Sequence, residues 1–401
     1  MERGLRWAVL FTVAMLPLSE AAKNIGFGVS LALYLALLLL HDRQRPPVPL
    51  VGLGLLGLLG ATVLSALASE YPYHSARGVW EVFRNVSFFF IVLRAFRLDG
   101  DVRRFVAAIA VGTGAAALIF FYQYLLVGMP IFRFLSLGGK NGTAQFLVMV
   151  LLLLLSVLAI VRGDARTRGA LAGTSLLLLL VLGVSDAHTN WLAFIFVGLC
   201  LAAWLRRWAI AGGVGALVFL VAVVAVQNDA VRVRLGRLST VRAYLELSGR
   251  PALWQKSLRI WRDYPWFGVG PRSFMIEKDV TKDPVRSRYG VEEYNTQAHN
   301  LWVHTAVEMG AVGLLALLGW VAAVAISLRR LRRVRGDPWG RALWFGTVGA
   351  FAVVMIAGMT DTSFGREHAM LLNAELALLV AAQASGGGGD DPRRQTPERR
   401  P

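Results

Sequence analysis

Apolar runs of membrane-spanning length recur along almost the whole chain, and short polar stretches rich in arginine, glycine and proline separate them. A helix needs about 20 mainly apolar residues to cross the hydrocarbon core of a bilayer. The pattern predicts about twelve such helices in an all-α polytopic membrane protein. The predicted spans lie near 7–19, 25–41, 49–67, 80–95, 105–126, 143–161, 170–186, 190–205, 209–227, 308–327, 342–360 and 369–384.

Arginines at the ends of these spans predict the orientation of the helices. They cluster in alternate short loops, at residues 43–45, 94–104, 162–168, 206–207 and 329–341. Cytoplasmic loops carry such an excess of positive charge, so both termini are predicted to be cytoplasmic. Residues 1–227 would then form helices 1–9, and residues 299–384 helices 10–12. Between them, 228–298 is predicted to be a large, mainly helical loop on the other face, and 385–401 a disordered cytoplasmic tail.

Composition supports this assignment and excludes several other classes. Of the 401 residues, 56% are hydrophobic and only 17% charged, too few charges for a soluble protein of this length. The net charge of +17 lies at helix ends and in one loop, so lipid phosphates are better partners for it than nucleic acid. The single cysteine, Cys200, excludes disulfides and cysteine-based metal sites within one chain.

Gly52, Gly54 and Gly57 match the GxGxxG pattern of dinucleotide-binding proteins. That pattern binds a phosphate where it follows a strand and opens a helix, and here it lies inside a membrane span. The glycines therefore predict close helix packing.

The basic loop contains a candidate anion site at Arg250. Pro251 is typical of a first helical position, so Arg250 is a predicted N-cap, and a guanidinium beside free helix N–H groups can hold a phosphate. A surface arginine paired with Glu246 is the alternative. Trp254, Leu258 and Trp261 are spaced to form one face of the following helix.

His299 is the candidate general base. Thr296 is a predicted N-cap for a helix reaching about Ser327, which places His299 in its first turn, where the helix dipole favours a neutral imidazole that can accept a proton. That helix would measure roughly 45 Å, so its first turn would stand at the level of the lipid phosphates. A structural histidine is the alternative, and nothing in the sequence singles out His304.

Other polar side chains fall on the same predicted face. Asp186 and His188 lie in a turn between two spans, and Lys140 precedes another span. These are either ligand contacts or parts of hydrated turns. Glu81 and Arg84, three residues apart inside a span, are predicted to neutralise each other.

Four motifs together resemble the O-antigen ligase and polymerase superfamily of bacterial envelopes. They are Arg250-Pro-Ala-Leu-Trp, Pro265-Trp-Phe-Gly-Val-Gly-Pro-Arg-Ser-Phe, His299-Asn-Leu-Trp and Glu308-Met-Gly-Ala-Val-Gly-Leu. The predicted layout, with its large loop between helices 9 and 10, is similar to that superfamily along nearly the whole chain, and its length and compact loop most resemble the O-antigen ligase. The resemblance implies a GT-C-like membrane fold and an inverting, metal-independent glycosyltransferase of the bacterial inner membrane with no cofactor, acting in lipopolysaccharide synthesis with its site facing the periplasm.

The resemblance also implies substrates and residue roles. The donor would be a glycan on undecaprenyl diphosphate and the acceptor a sugar hydroxyl of lipid A–core. His299 matches the family's proposed base and Arg250 the arginine assigned to the donor diphosphate, with Asn300 in the same motif as His299. Relatives often have a second arginine in a turn where this chain has His188; Lys140 or Arg272 could replace it.

Three other functions stay open from the sequence. An O-antigen polymerase would use a second lipid-linked glycan as acceptor, and a protein O-oligosaccharyltransferase would use a protein. A transporter or flippase of lipid-linked sugars, the alternative from another class, predicts charged residues distributed inside the spans and internal repeats, and neither is evident.

Overall fold

The computed structural model describes residues 1–40, 48–96, 101–127, 137, 139–185, 187–206, 211–216, 218–219, 223, 250–276, 297–332, 337–362 and 367–386. The regular structure in these residues is helical. A 3-10 helix lies at Phe274–Ile276, and the α-helices are α1 (Glu2–Met15), α2 (Glu20–Leu40), α3 (Leu50–Leu67), α4 (Pro72–Ala95), α5 (Asp101–Leu126), α6 (Lys140–Ile160), α7 (Ala165–Val184), α8 (His188–Leu205), α9 (Arg250–Asp263), α10 (Leu301–Arg330), α11 (Pro338–Ala357) and α12 (Glu367–Gly386).

Seven helices in the described part of the chain are long and apolar enough to cross a membrane: α2, α3, α5, α6, α7, α10 and α11. The apolar segment of α8 is shorter. The all-helical, polytopic membrane fold is thus confirmed, and the total of twelve spans stays a prediction. The ninth predicted span, near 209–227, and the tail after α12 lie largely outside the described residues, and so does most of the 228–298 loop other than 250–276.

The bundle is built around α6. Residues Thr143 to Val157 of this helix are all buried, and it packs against α7 and α11. Outer helices keep large apolar side chains exposed, such as Leu39 of α2 and Leu125 of α5. Such side chains suit contact with lipid tails, because lipid is as apolar as they are.

Close packing of α3 on α10 explains the glycine pattern in α3. A Cβ added at Gly54 would lie 3.0 Å from Trp320 Cα, and one at Gly52 would lie 3.1 Å from the Phe90 ring. Small residues let helix backbones approach in this way. The packing interpretation is confirmed at these two positions, whereas Gly57 has no atom within 4 Å of its added Cβ.

The helix predicted to run from about residue 296 is broken. Helix α10 begins at Leu301, capped by Asn300, and Gly310 interrupts it with φ 63° and ψ −161°. An interruption leaves carbonyls before it and N–H groups after it without helical partners. The chain segment 265–270 supplies the missing partners through four backbone hydrogen bonds: Val269 N to Val307 O, Gly270 N to Glu308 O, Ala311 N to Pro265 O, and Val312 N to Trp266 O.

Two serines of α3 and its C-terminal turn secure this crossing. The Ser65 hydroxyl donates to Glu308 O at 2.9 Å, and the Ser69 hydroxyl donates to Val269 O at 2.7 Å. Segment 265–270 is therefore fixed to both α3 and α10. The glycine-rich stretch at residues 266–271 is thus part of a crossing with α10.

Helix α9 packs through one face. Leu253, Ser257 and Ile260 are buried, while Leu258 is 47% exposed. Leu253 and Ile260 lie against Phe274, Ala298 and other apolar residues beside α10. The helix contains Trp254, Leu258 and Trp261 at the spacing of one face, and contact with α10 determines which of its faces is buried.

Candidate functional site

One end of the bundle contains a cavity of about 630 Å³. The beginnings of α6, α10 and α12 and the turn after α11 surround it, together with Arg272 from the segment after α9. Its charged and polar lining includes side chains from four helices and three non-helical segments, namely Glu81, Lys140, Asn141, Arg272, Gln297, His299, His304, Glu308, Asp361, Thr362, His368 and Asn373. Apolar residues such as Leu55, Val86 and Leu317 complete the wall.

His299 is in this cavity and faces the turn after α11. Its Nδ1 lies 3.6 Å from Asp361 Oδ1, and the two side chains are 35% and 13% exposed. This separation is longer than a hydrogen bond. Contacts of this kind in active sites commonly tighten when substrate binds. With Nδ1 directed at the carboxylate, the Nε2 atom of the same ring is left to accept a proton.

The backbone around His299 differs from the predicted helical turn. His299 has φ 48°, in the left-handed region, and precedes the cap residue Asn300. The prediction that it lies in the first helical turn, with Thr296 as the N-cap, was wrong; Thr296 itself lies outside the described residues. A short polar side chain at position 300 stops the helix there, because its oxygen takes the N–H groups that a longer helix would use.

Asn300 has its side chain fully engaged within the protein. Its Oδ1 accepts from Trp302 N and Val303 N at 3.0 and 3.1 Å, and its Nδ2 donates to Met359 O at 3.0 Å. Leu301 N also donates to Gly358 O at 2.7 Å. These bonds join the start of α10 to the end of α11 and bring His299 beside Asp361.

The Asp361 carboxyl has a pKa below its usual value of 3.8. Burial acts to raise this pKa, but the nearby His299 side chain, the Thr362 N–H group and the charge of Arg250 outweigh it. A folded-state pKa below 3.8 means that the stability the carboxylate contributes is present above that pH and is lost as the pH falls through the lowered value. Asp361 is therefore ionised throughout the neutral range.

Arg250 is the first described residue of α9, and its charge acts on Asp361. The same face of α9 reaches the His299 segment one turn later, where Trp254 Nε1 donates to Ala298 O at 2.9 Å. The N-cap role of Arg250 stays a prediction, because residue 249 lies outside the described residues. The structure brings Arg250, His299 and Asp361 to one neighbourhood, although 111 positions of sequence separate the first from the last.

Lys140 and the turn containing His188 meet at the same end of the bundle. Lys140 is exposed, begins α6 and lines the cavity. His188 begins α8, and the next two residues contact the site: Thr189 accepts from the Thr360 hydroxyl, and Asn190 Nδ2 donates to Asn141 O. The backbone of His188 thus lies beside the turn that contains Asp361, and residue 186 is outside the described residues.

Arg272 lines the cavity and forms an ion pair with Glu81, with 2.5 Å between Nη1 and Oε1. Arg84 instead donates to Asn24 Oδ1 at 3.2 Å. The predicted neutralisation of Glu81 by Arg84 was wrong, because the packing of the helices directs their side chains to different neighbours. A guanidinium so paired offers less positive charge to an anion than an isolated one.

A family model described as O-antigen ligase matches residues 172–318, from α7 to the middle of α10. The matched part includes Arg250, Arg272, His299 and Asn300. This match supports assignment of the chain to the O-antigen ligase/polymerase superfamily. The family predicted from the four motifs is confirmed, and an enzyme family that transfers glycans accounts for a polar cavity at one end of a membrane bundle. No curated protein matches the chain.

Several residues in the site of this superfamily member were not predicted from its sequence. Asp361 lies 62 positions after His299, in a turn beyond α11, and no spacing rule connects the two. The sequence signal that could have indicated Asp361 was the polar turn at residues 360–362, which lies on the same predicted face as the large loop. His304 and Glu308 also line the cavity, and neither was expected to.

Asp361→Asn is expected to lower the turnover number of glycan transfer about 100-fold or more and to change the donor KM little. An amide cannot stabilise a protonated His299 as a carboxylate does, and it can hold the ring in the wrong tautomer. Steady-state kinetics of the reconstituted protein would measure the effect, and Asp361→Glu should recover part of it. Asp263→Asn, exposed at the end of α9, is the matched control. Wild-type turnover in Asp361→Asn would contradict a positioning role.

Proposed function

We propose that this protein transfers an O-antigen glycan from undecaprenyl diphosphate to a sugar hydroxyl of lipid A–core. The observation that carries the proposal is that His299 and Asp361 face each other in one cavity, with the charge of Arg250 acting on Asp361, in a chain that matches the O-antigen ligase family model. Together they can supply a base, a group that orients the base and a cation. These are the groups needed to displace a diphosphate from a sugar with a hydroxyl.

The proposed step is a single inverting displacement. His299 Nε2 removes the proton of the acceptor hydroxyl while that oxygen bonds to the anomeric carbon of the donor glycan. The bond between the anomeric carbon and the diphosphate oxygen breaks, and its electron pair stays on the diphosphate. Arg250 and Lys140 stabilise the negative charge that develops there, and Asp361 stabilises the imidazolium. A diphosphate leaves readily without protonation, so the reaction requires no separate acid.

The remaining predicted residues have supporting places in the proposal. Asn300 serves by fixing the start of α10. Lys140, at the start of α6 in the cavity lining, takes the place of the second arginine of relatives in this proposal, and Arg272 pairs with Glu81. The His188 backbone lies beside the 360–362 turn, and this position is compatible with a contact between His188 and the donor. The site would face the periplasm from the bacterial inner membrane, with both termini in the cytoplasm and no cofactor.

Reconstitution tests this function directly. The full chain would be placed in liposomes with a purified undecaprenyl-diphosphate glycan, a metal chelator, and either lipid A–core or a second lipid-linked glycan. We expect glycosylated lipid A–core as the product. A longer lipid-linked glycan would instead identify a polymerase, and donor that moves between leaflets without being consumed would identify a flippase. Loss of transfer on adding the chelator would contradict the metal-independent mechanism.

Arg250→Ala is expected to lower kcat/KM about 100-fold, and Arg250→Lys to keep part of that activity. Lysine keeps the positive charge but loses the planar fork that can contact two phosphate oxygens. The same reconstituted assay, with donor concentration varied, would measure both. Arg259→Ala is the matched control, since this arginine is exposed on the same helix. Equal activity in the wild type and both Arg250 variants would show that Arg250 makes no phosphate contact.

A further inference from the structure

Two pairs of acidic and basic side chains line the cavity beside His299. His304 Nε2 lies 3.4 Å from Glu308 Oε2, with side chains 19% and 12% exposed. Arg272 and Glu81 form the second pair. All four residues contribute to the cavity wall. The step proposed above uses none of these four residues.

Both pairs are held rigidly by the segment after α9. Glu308 Oε1 accepts from Phe274 N at 3.3 Å, and the His304 and Phe274 rings meet edge to face at 5.6 Å. Gly78 of α4 leaves room for this segment, since a Cβ added there would lie 2.4 Å from Pro271 Cβ. Polar groups fixed in this way present donors and acceptors without losing conformational entropy on binding.

The chemistry of the pairs fits sugar hydroxyls better than phosphate. Each carboxylate accepts hydrogen bonds, and its guanidinium or imidazole partner can donate them. A sugar hydroxyl can therefore donate to the carboxylate and accept from its partner at the same time. A diphosphate would meet the charges of Glu81 and Glu308, which repel it. His304 Nδ1 is buried and has no hydrogen-bond partner among the described residues, so one capacity for a ligand contact remains.

The positions of the pairs indicate which sugar they bind. Lys140 begins α6, whose first turn contacts α8 and α12, whereas Arg272 is held on α4 and Glu308 lies in α10. In an inverting displacement the attacking oxygen and the leaving diphosphate lie on opposite sides of the anomeric carbon. The sugar that carries the attacking oxygen therefore belongs on the wall away from Lys140, within reach of His299.

We infer that His304–Glu308 and Arg272–Glu81 form the subsite for the acceptor sugar, whose hydroxyls they bind while His299 removes a proton. The inference rests on the proposed glycan transfer. Helix α10 carries His304 and Glu308 immediately after His299, so one rigid element sets the base and the subsite together.

Two variants test the subsite with little disturbance of the fold. Glu308→Gln keeps an oxygen to accept from Phe274 N, and His304→Phe keeps the ring contact with Phe274. Each should raise the acceptor KM about tenfold or more and leave the donor KM within about twofold, because hydrogen bonds to charged groups are lost from one substrate alone. Lys140→Gln is the matched control and should raise the donor KM instead. A rise in donor KM in the Glu308 and His304 variants, or an unchanged acceptor KM, would overturn the inference.

A binding measurement separates this inference from the proposed function. Soluble core oligosaccharide, without lipid A, would be titrated into the full chain in nanodiscs, and binding followed by saturation-transfer NMR. We expect the wild type to bind and Glu308→Gln to bind about tenfold more weakly, whatever the outcome of the transfer assay. No binding by the wild type, or equal binding by both proteins, would overturn the subsite. Binding together with no transfer in any acceptor assay would reject the proposed function and keep the subsite.

Discussion

His299→Ala is expected to lower the turnover number of glycan transfer by about 10²- to 10⁴-fold, the range that a positioned general base contributes. The substitution removes the proposed base and leaves Asp361 and Arg250 in place. Donor KM should change little, because the cations that would hold the diphosphate are intact. Reconstituted transfer assays, with donor and acceptor varied separately, would measure both constants.

The backbone at position 299 makes a second variant useful. His299 has φ 48°, a conformation that asparagine tolerates better than alanine. His299→Asn removes the base with less risk to the fold, so both variants should lose turnover while keeping the wild-type unfolding temperature. His74→Ala, beside Tyr73 at the start of α4, is a control outside the cavity lining. Normal transfer by His299→Asn would end the assignment of this histidine as the base.

Gly310→Ala is expected to destabilise the protein by about 3 kcal/mol or more, since it combines backbone strain with overpacking. At φ 63° an alanine is strained, and its Cβ would lie 2.3 Å from both Trp266 C and Trp266 O. Neither atom can move freely, because four backbone hydrogen bonds hold segment 265–270 in the break of α10. Thermal unfolding in detergent would measure the loss of stability.

The same helix provides the control for this prediction. Gly319 lies in the continuous part of α10, and no atom is within 4 Å of its added Cβ. Gly319→Ala should therefore leave the unfolding temperature unchanged or raise it slightly. Gly268→Ala, on the other side of the crossing, should resemble Gly310→Ala, since its Cβ would lie 2.4 Å from Val307 O at φ 68°. Wild-type unfolding temperatures for both Gly310→Ala and Gly268→Ala would show that the two segments can separate without loss of stability.

The crossing has a consequence for the site as well as for stability. Glu308 Oε1 accepts from Phe274 N, and the backbone oxygen of Glu308 accepts from Gly270. The segment that aligns Glu308 is therefore the one that carries Arg272 to Glu81. Two of the four motifs that indicate the superfamily, one beginning at Pro265 and one at Glu308, meet in this crossing.

Some features follow from the sequence because they depend on neighbours along the chain. Apolar runs of spanning length predict the membrane helices, and the glycines of α3 predict close packing. His299 and Arg250 were singled out by local motifs; the structure places His299 in the cavity and Arg250 where its charge acts on Asp361. The length and apolar character of a helix and the residue types at its ends are local properties, so a sequence pattern carries them directly.

Other features depend on which helices become neighbours, and only the tertiary structure decides that. Asp361 faces His299 because Asn300 binds Met359 O and Leu301 binds Gly358 O, and these bonds join residues more than 50 positions apart in the sequence. Arg272, rather than Arg84, pairs with Glu81 for the same reason. Helix α10 breaks at Gly310 because a distant segment supplies hydrogen-bond partners that a local pattern cannot reveal. Ion pairs and backbone crossings join groups that are distant in sequence, so their physical cause is the packing of the bundle.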